Sequence, residues 1–246
     1  MKIKSIGIVG YGQFGSFIHT LIQKFLPTID VYIFDPNSPT SADLPLVAKS
    51  DVVCLCVPIS EYKETIRHLA PLLGNASVVL DVATVKKVTS QWCREYLAEG
   101  RYVCTHPMFG PASYRKKGED INGLRLVVTD KNISEREWNA VESWLTSLGL
   151  ISIEMTSDEH DKYLAETLFL THYVAQVITE ASFVRTQIDT VSFGFLMDAV
   201  ESVRDDRSLF ADVYRFNPYC TRVLESFKNA EQNVRSVLEK SKIDGE

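Results

Sequence analysis

Three glycines restrict this chain more than any other feature. The run Gly10-Tyr11-Gly12-Gln13-Phe14-Gly15 closes the β-rich segment Ser5–Gly10 and opens an amphipathic stretch, Gln13–Phe25. Asp35 ends the next β-rich run, Val31–Asp35, about twenty residues beyond Gly15. Glycines at this spacing are common on their own. Between a strand and a helix, with a carboxylate at the next strand end, they form a dinucleotide-binding fingerprint. The first glycine permits the tight turn, the second lets backbone approach a pyrophosphate, and the third allows close helix–sheet contact. The helix N-terminus then offers N–H groups to the phosphates. The cofactor-binding candidates are Gly10, Gly12, Gln13, Phe14, Gly15 and Asp35, with Val57 and Pro58 after the third β-rich run. Asp35 can accept hydrogen bonds from both ribose hydroxyls and repels a 2′-phosphate; Pro36-Asn37-Ser38-Pro39 supplies no Arg or Lys to receive one. NAD is therefore expected rather than NADP.

The remaining pattern agrees with an α/β fold. Further β-rich runs at Val52–Val57, Ser77–Val82, Tyr102–His106, Leu124–Thr129 and Ile151–Met155 are apolar throughout, as in parallel strands covered on both faces. Helical patterns at Glu61–Leu73, Val85–Glu99 and Glu135–Leu148 separate them, so the expected core is a doubly wound parallel sheet of the Rossmann type. Only 16 residues separate Asp35 from Val52, room for a loop or a stub of helix. Beyond about residue 156 no β-rich run follows: Ser157–Arg185, Thr190–Ser202, Leu209–Phe216 and Pro218–Lys240 read as helices, with Ser157 as an N-cap. The expected division is a dinucleotide-binding domain over residues 1–156 and a smaller all-helical domain over 157–246. The latter is thin enough to require a second subunit, so a homodimer is expected.

Composition excludes several classes. With 26 Lys+Arg against 32 Asp+Glu the formal charge is −6, which argues against a nucleic-acid binder. No apolar run reaches the ~18–20 residues of a membrane span, and Ile6–Val9 stops at Gly10, too short for a signal-peptide core. The five cysteines form no CxxC pair and read as buried thiols, so the cytoplasm is the expected location. No histidine cluster suggests a metal.

Chemistry must come from outside the glycine turn. Thr105-His106-Pro107-Met108-Phe109-Gly110-Pro111 leaves the fifth strand at the carboxyl edge, where α/β sheets bind ligands, and its prolines and glycine shape a rigid loop. His106 there is a candidate general base; a surface histidine is the competing reading. His172 has Gln176 one turn away and could lie on a solvated face. His160, beside Asp161 early in a helix, fits a local structural role. Phe14 and Phe109 read as packing residues.

Four segments together resemble the prephenate/arogenate dehydrogenase family: Gly10–Gly15; Asp81-Val82-Ala83-Thr84-Val85-Lys86; His106–Pro111; and Glu159-His160-Asp161 followed by Leu170-Thr171-His172. The resemblance runs nearly end to end. It implies NAD-dependent oxidative decarboxylation of a cyclohexadienyl acid, with His106 taking the ring hydroxyl proton and Thr84, in place of a usual serine, near the same oxygen. It further implies that His172 lines the substrate site and that the helical domain forms the dimer. Two departures bear on the substrate. Glu201 stands where members that use prephenate often have an arginine, and Ala112 stands where an acidic residue is common. Glu201 would disfavour a second carboxylate and favour an ammonium, which points to arogenate; Arg115 is the candidate cation for a carboxylate. The alternatives are a β-hydroxy-acid dehydrogenase using Lys162 and an NAD-sensing protein without turnover.

Overall fold

The computed structural model describes residues 3–39 and 41–243. Its backbone divides into two units, residues 1–160 and 161–246.

The first unit is built on a seven-stranded sheet: β1 Ser5–Val9, β2 Asp30–Phe34, β3 Val52–Leu55, β4 Val78–Asp81, β5 Arg101–Pro107, β6 Arg125–Asn132 and β7 Ile151–Glu154. The strand order is β2-β1-β3-β4-β5-β6-β7. Strands β1 to β5 are parallel, so Gly10, Asp35, Cys56, Thr84 and the segment after His106 all emerge at one edge. β6 pairs antiparallel with β5, and β7 parallel with β6, so the last two strands reverse the direction expected of them. The reason is the connection. A short helix, α5 (Pro111–Lys116), and a turn bring the chain back into the sheet at the same edge where β5 ends, so β6 runs in the opposite direction.

The helices follow their apolar spacing. α1 (Gln13–Phe25) turns two faces inward: Ile18 and Ile22 pack with Ile6, Ile8 and Cys54, while Phe14, Phe17, Leu21 and Phe25 pack with Phe109, Tyr114 and Ile121. The second cluster ties the glycine-turn helix to the segment after β5, with Phe17 edge-on to Phe109. The abbreviated unit is a four-residue helix, α2 (Leu44–Val47). α3 (Ile59–Leu69) starts earlier than its charge pattern suggested and gives way to a 3₁₀ turn at Ala70–Leu72, where Pro71 cannot continue the α-helix. α4 (Lys87–Tyr96) and α6 (Glu135–Ser147) complete the layers. Ser134 caps α6 in a reciprocal pair with Glu137, worth about 1 kcal/mol.

α7 (Ser157–Leu164) begins in the first unit. Its cap is Thr156 rather than Ser157. Thr156 Oγ1 accepts from the Glu159 N–H at 3.2 Å, and the Thr156 N–H donates to Glu159 Oε2 at 3.0 Å. Glu159 three residues on completes a capping box that Ser157 could not form.

In the second unit a π-helical segment, Ala165–Phe169, precedes α8 (Leu170–Glu180). α9 (Val191–Val203, capped by Thr190), α10 (Arg207–Phe216) and α11 (Cys220–Ile243) follow. The long helix expected to reach Arg185 ends at Glu180. Ala175, Met197 and Val200 form a small core where α8 meets α9. Among the described residues, no helix is long and apolar enough to cross a membrane. The cysteines are free, and Cys54, Cys93, Cys104 and Cys220 are buried, whereas Cys56 is partly exposed.

Candidate active site

The three glycines occupy three different environments. Gly10 has φ +92°, and a Cβ there would lie 2.8 Å from the carbonyl of Cys56 and 2.9 Å from the Val57 nitrogen. The turn thus passes hard against the end of β3, where the strand order reverses between β1 and β3. A Cβ on Gly15 would come within 2.0 Å of the Gly10 carbonyl oxygen. Around Gly12, by contrast, nothing lies within 4 Å of a would-be Cβ, and Gly12 is the N-cap of α1. Open space above a capless helix N-terminus is what an incoming pyrophosphate requires. Asp35 closes the far side. Its Oδ2 accepts the Tyr11 N–H at 2.7 Å and its Oδ1 the Asn37 N–H at 2.8 Å, which fixes the carboxylate beside the turn. Val57 and Pro58 begin the loop into α3, with Pro58 at its N-cap. These residues fit a dinucleotide.

Beside this turn, β4 and β5 carry a buried polar core. Asp81 and Lys86 are both fully buried and paired at 2.5 Å. Lys86 Nζ also donates to the Thr105 carbonyl at 2.6 Å, while Thr89 Oγ1 and the Ala83 N–H donate to Asp81 at 3.0 and 2.8 Å. Thr105 Oγ1 donates to the Asp81 carbonyl at 2.8 Å. This network locks the loop that carries Thr84, which is half-buried, to the strand that carries His106. Cys93 and Cys104 stand close enough to Asp81 to suggest metal ligands. The chemistry does not fit one: Lys86 and Thr89 occupy Asp81 Oδ2, and burial holds the Cys104 thiol well above its ordinary value.

His106 lies near the end of β5, as the run Tyr102–His106 implies. The register of β5 against β6 shifts between Cys104 and Thr105, where the extra residue, Thr129, lies on β6 opposite the strand that carries the histidine. His106 is 5% exposed, and burial, then His160 and Lys86, hold its pKa well below the ordinary value near 6.5. It is neutral at physiological pH, the state a base needs. Its Nδ1 lies 2.9 Å from His160 Nε2. His160, 3% exposed, is therefore no isolated helix residue, and the two histidines meet although 54 positions separate them. Lys86 and His160 were within the family-like motifs, but their spacing gave no sign that they converge. Arg115 sits exposed on α5, next to buried Tyr114.

The second unit holds the other two candidates. His172 is 3% exposed rather than on a solvated face. Its ring runs parallel to Phe210, with centroids 6.2 Å apart, and Phe210 stacks in turn on Phe169. Burial lowers its pKa, and its Nδ1 has no hydrogen-bond partner among the described residues. Glu201 is exposed and engaged: Arg185 Nε and Nη2 reach its two oxygens at 2.8 and 3.1 Å, and the same guanidinium reaches Asp198 at 2.6 Å. The cation beside Glu201 is a loop arginine that sequence spacing could not place.

Glycine turn, switch point and sheet define a Rossmann-type nucleotide-binding protein. Residues 37–146 match the family model described as prephenate dehydrogenase, nucleotide-binding domain. Arogenate dehydrogenase 1, chloroplastic, of Arabidopsis thaliana is 27% identical over 250 residues, covering 95% of this chain and 39% of that protein. The cyclohexadienyl dehydrogenase of Zymomonas mobilis is 24% identical over 262 residues, 96% of this chain and 88% of the relative. Among solved structures, prephenate dehydrogenase from A. aeolicus in complex with hydroxyphenyl propionate and NAD+ superposes with a TM-score of 0.78. It is 16% identical and covers 98% of this chain and 92% of that one. Over residues 37–146 the chain matches the nucleotide-binding domain of that family, and it is similar to arogenate and cyclohexadienyl dehydrogenases over nearly its whole length. It spans well under half the length of the first Arabidopsis relative.

Proposed function

We propose that the protein oxidatively decarboxylates a cyclohexadienyl acid, arogenate or prephenate, with NAD as hydride acceptor. The observation that carries this reading is His106: a buried, neutral imidazole on the carboxyl edge of the sheet that also presents the glycine turn. The names of the relatives support the substrate class, and the ligands of the A. aeolicus enzyme support NAD.

In this reading Gly10, Gly12, Gln13, Phe14 and Gly15 receive the pyrophosphate, Asp35 the adenosine ribose, and Val57 and Pro58 border the cofactor. The nicotinamide supplies hydride acceptance at the ring C4. His106 accepts the C4 hydroxyl proton as that hydride leaves, and the Thr84 hydroxyl orients the same oxygen. The C1 carboxylate departs as CO2, and its bonding electrons complete the aromatic ring. The protein contributes position and exclusion of water, while the substrate's own aromatisation drives the step. His172, with its unpartnered Nδ1, offers a hydrogen bond to substrate from the helical region, residues 157–246, and Arg115 a cation.

That region assembles as a homodimer. Its exposed apolar side chains include Phe195 on α9 and Val234, Val237 and Leu238 on α11, at 60–71% exposure. Patches of this kind are rarely left in water.

NADH formation at 340 nm with arogenate, prephenate and a panel of β-hydroxy acids tests the assignment. Turnover with a ring substrate is expected; turnover with a β-hydroxy acid alone, or NAD binding with no turnover on any of them, overturns it.

A further inference from the structure

His160 has no role in the chemistry proposed above, yet it is buried at the first turn of α7 with its ring edge against His106. The centroids are 5.1 Å apart and the planes inclined at 73°, and the nitrogens lie at hydrogen-bond distance, 2.9 Å. That bond requires one proton between two imidazoles, and there are two ways to place it. If His160 Nε2–H donates, His106 carries its own proton on Nε2 and has no lone pair left for a substrate. If His106 Nδ1–H donates, Nε2 keeps its lone pair and can act as a base. Which ring nitrogen of a histidine is protonated is set by the bond the other one makes.

We infer that His160 is a positioning residue for His106, accepting a hydrogen bond from His106 Nδ1–H and so holding the ring in the tautomer whose Nε2 takes the substrate proton. The inference rests on the proposed reaction. α7 is well suited to the task. The Thr156–Glu159 box pins its first turn, so that His160, one residue beyond Glu159, is delivered to a fixed place. The acceptor is a neutral ring rather than the carboxylate that usually orients a catalytic histidine. A carboxylate would draw positive charge onto His106; an imidazole orients without doing so. The Lys86 charge also disfavours positive charge on His106. When His106 takes a proton on Nε2, its Nδ1–H bond to His160 strengthens, since bonds from a charged donor are the stronger ones.

The test uses the full-length protein labelled with 15N-histidine, together with His160→Gln and His160→Leu. A glutamine Oε1 reaches about as far as a histidine Nε2 and can accept, whereas leucine fills the space and cannot. In the parent, the His106 nitrogens are expected to show protonated Nδ1 and unprotonated Nε2, and the Gln variant should keep that signature. The Leu variant should lose it, with a fall in kcat of ~10²-fold or more, the effect expected of a misplaced tautomer, and unchanged NAD affinity. NAD binding by each variant reports that it has folded. A parent His106 protonated on Nε2, or a Leu variant with an unchanged His106 signature, overturns the inference. Failure of the proposed reaction reads differently: the parent then shows the expected tautomer but turns over no ring substrate.

Discussion

Replacing Lys86 with methionine isolates the buried pair that ties β4 to the strand carrying His106. The substitution nearly preserves length and volume but removes the charge. Asp81, also fully buried, would keep only the Thr89 hydroxyl and the Ala83 N–H, and the Thr105 carbonyl would lose its donor. Removing one partner of a buried ion pair costs about 3–5 kcal/mol, because the other charge stays behind without compensation. For a chain of this size each kcal/mol lowers Tm by roughly 2–4 °C, so a fall of about 6–20 °C is expected. Differential scanning calorimetry of the parent, Lys86→Met, Asp81→Asn and the double variant forms a complete cycle. The double variant should recover much of the loss, since it leaves no lone charge. A second readout follows from electrostatics: Lys86 helps depress the His106 pKa, so in Lys86→Met the acid limb of kcat/KM should move to higher pH. A Tm change below ~3 °C, or strictly additive effects in the cycle, would refute the claim that this pair anchors β4 and β5.

Gly10→Ala should abolish NAD binding measured by calorimetric titration, because both its positive φ and the Cys56 carbonyl forbid a Cβ; retained affinity would mean that the turn can shift. Asp35→Ser should narrow the preference of kcat/KM for NAD over NADP, and equal use of both cofactors by the parent would refute the role given to Asp35. His106→Asn should leave NAD affinity intact and lower kcat by ~10²–10⁴-fold; full turnover would move the base elsewhere. Stability should also fall on acidification. His106 and His172 have depressed pKa values in the folded chain, so the unfolded chain binds more protons below its histidine pKa of ~6.5. Tm should therefore decline from pH 7 to pH 5, and less steeply in His106→Gln; an unchanged slope would show that His106 is not buried neutral.

Whatever depends on near neighbours in the chain could be read directly. The glycine turn is a matter of six consecutive residues whose φ angles and missing side chains act locally, so its place before α1 was legible, as was Asp35 at the end of β2. Helix positions followed from spacing of apolar residues, and His106 followed from a motif at a strand end. Strand direction was not legible: a strand buried on both faces has the same apolar run whichever way it points, and only the short return through α5 sets β6 and β7 against β5. Caps depend on which hydroxyl reaches back, which favoured Thr156 over its neighbour. The partners of charged and polar groups were hidden most completely. Lys86 meets the Thr105 carbonyl, His160 meets His106 and Arg185 meets Glu201 across 19, 54 and 16 positions, and each pair is brought together only when the chain packs. An ionisable side chain acquires its protonation state and its task from what surrounds it. Sequence by itself names the candidate base, and only the tertiary structure decides what holds that imidazole neutral.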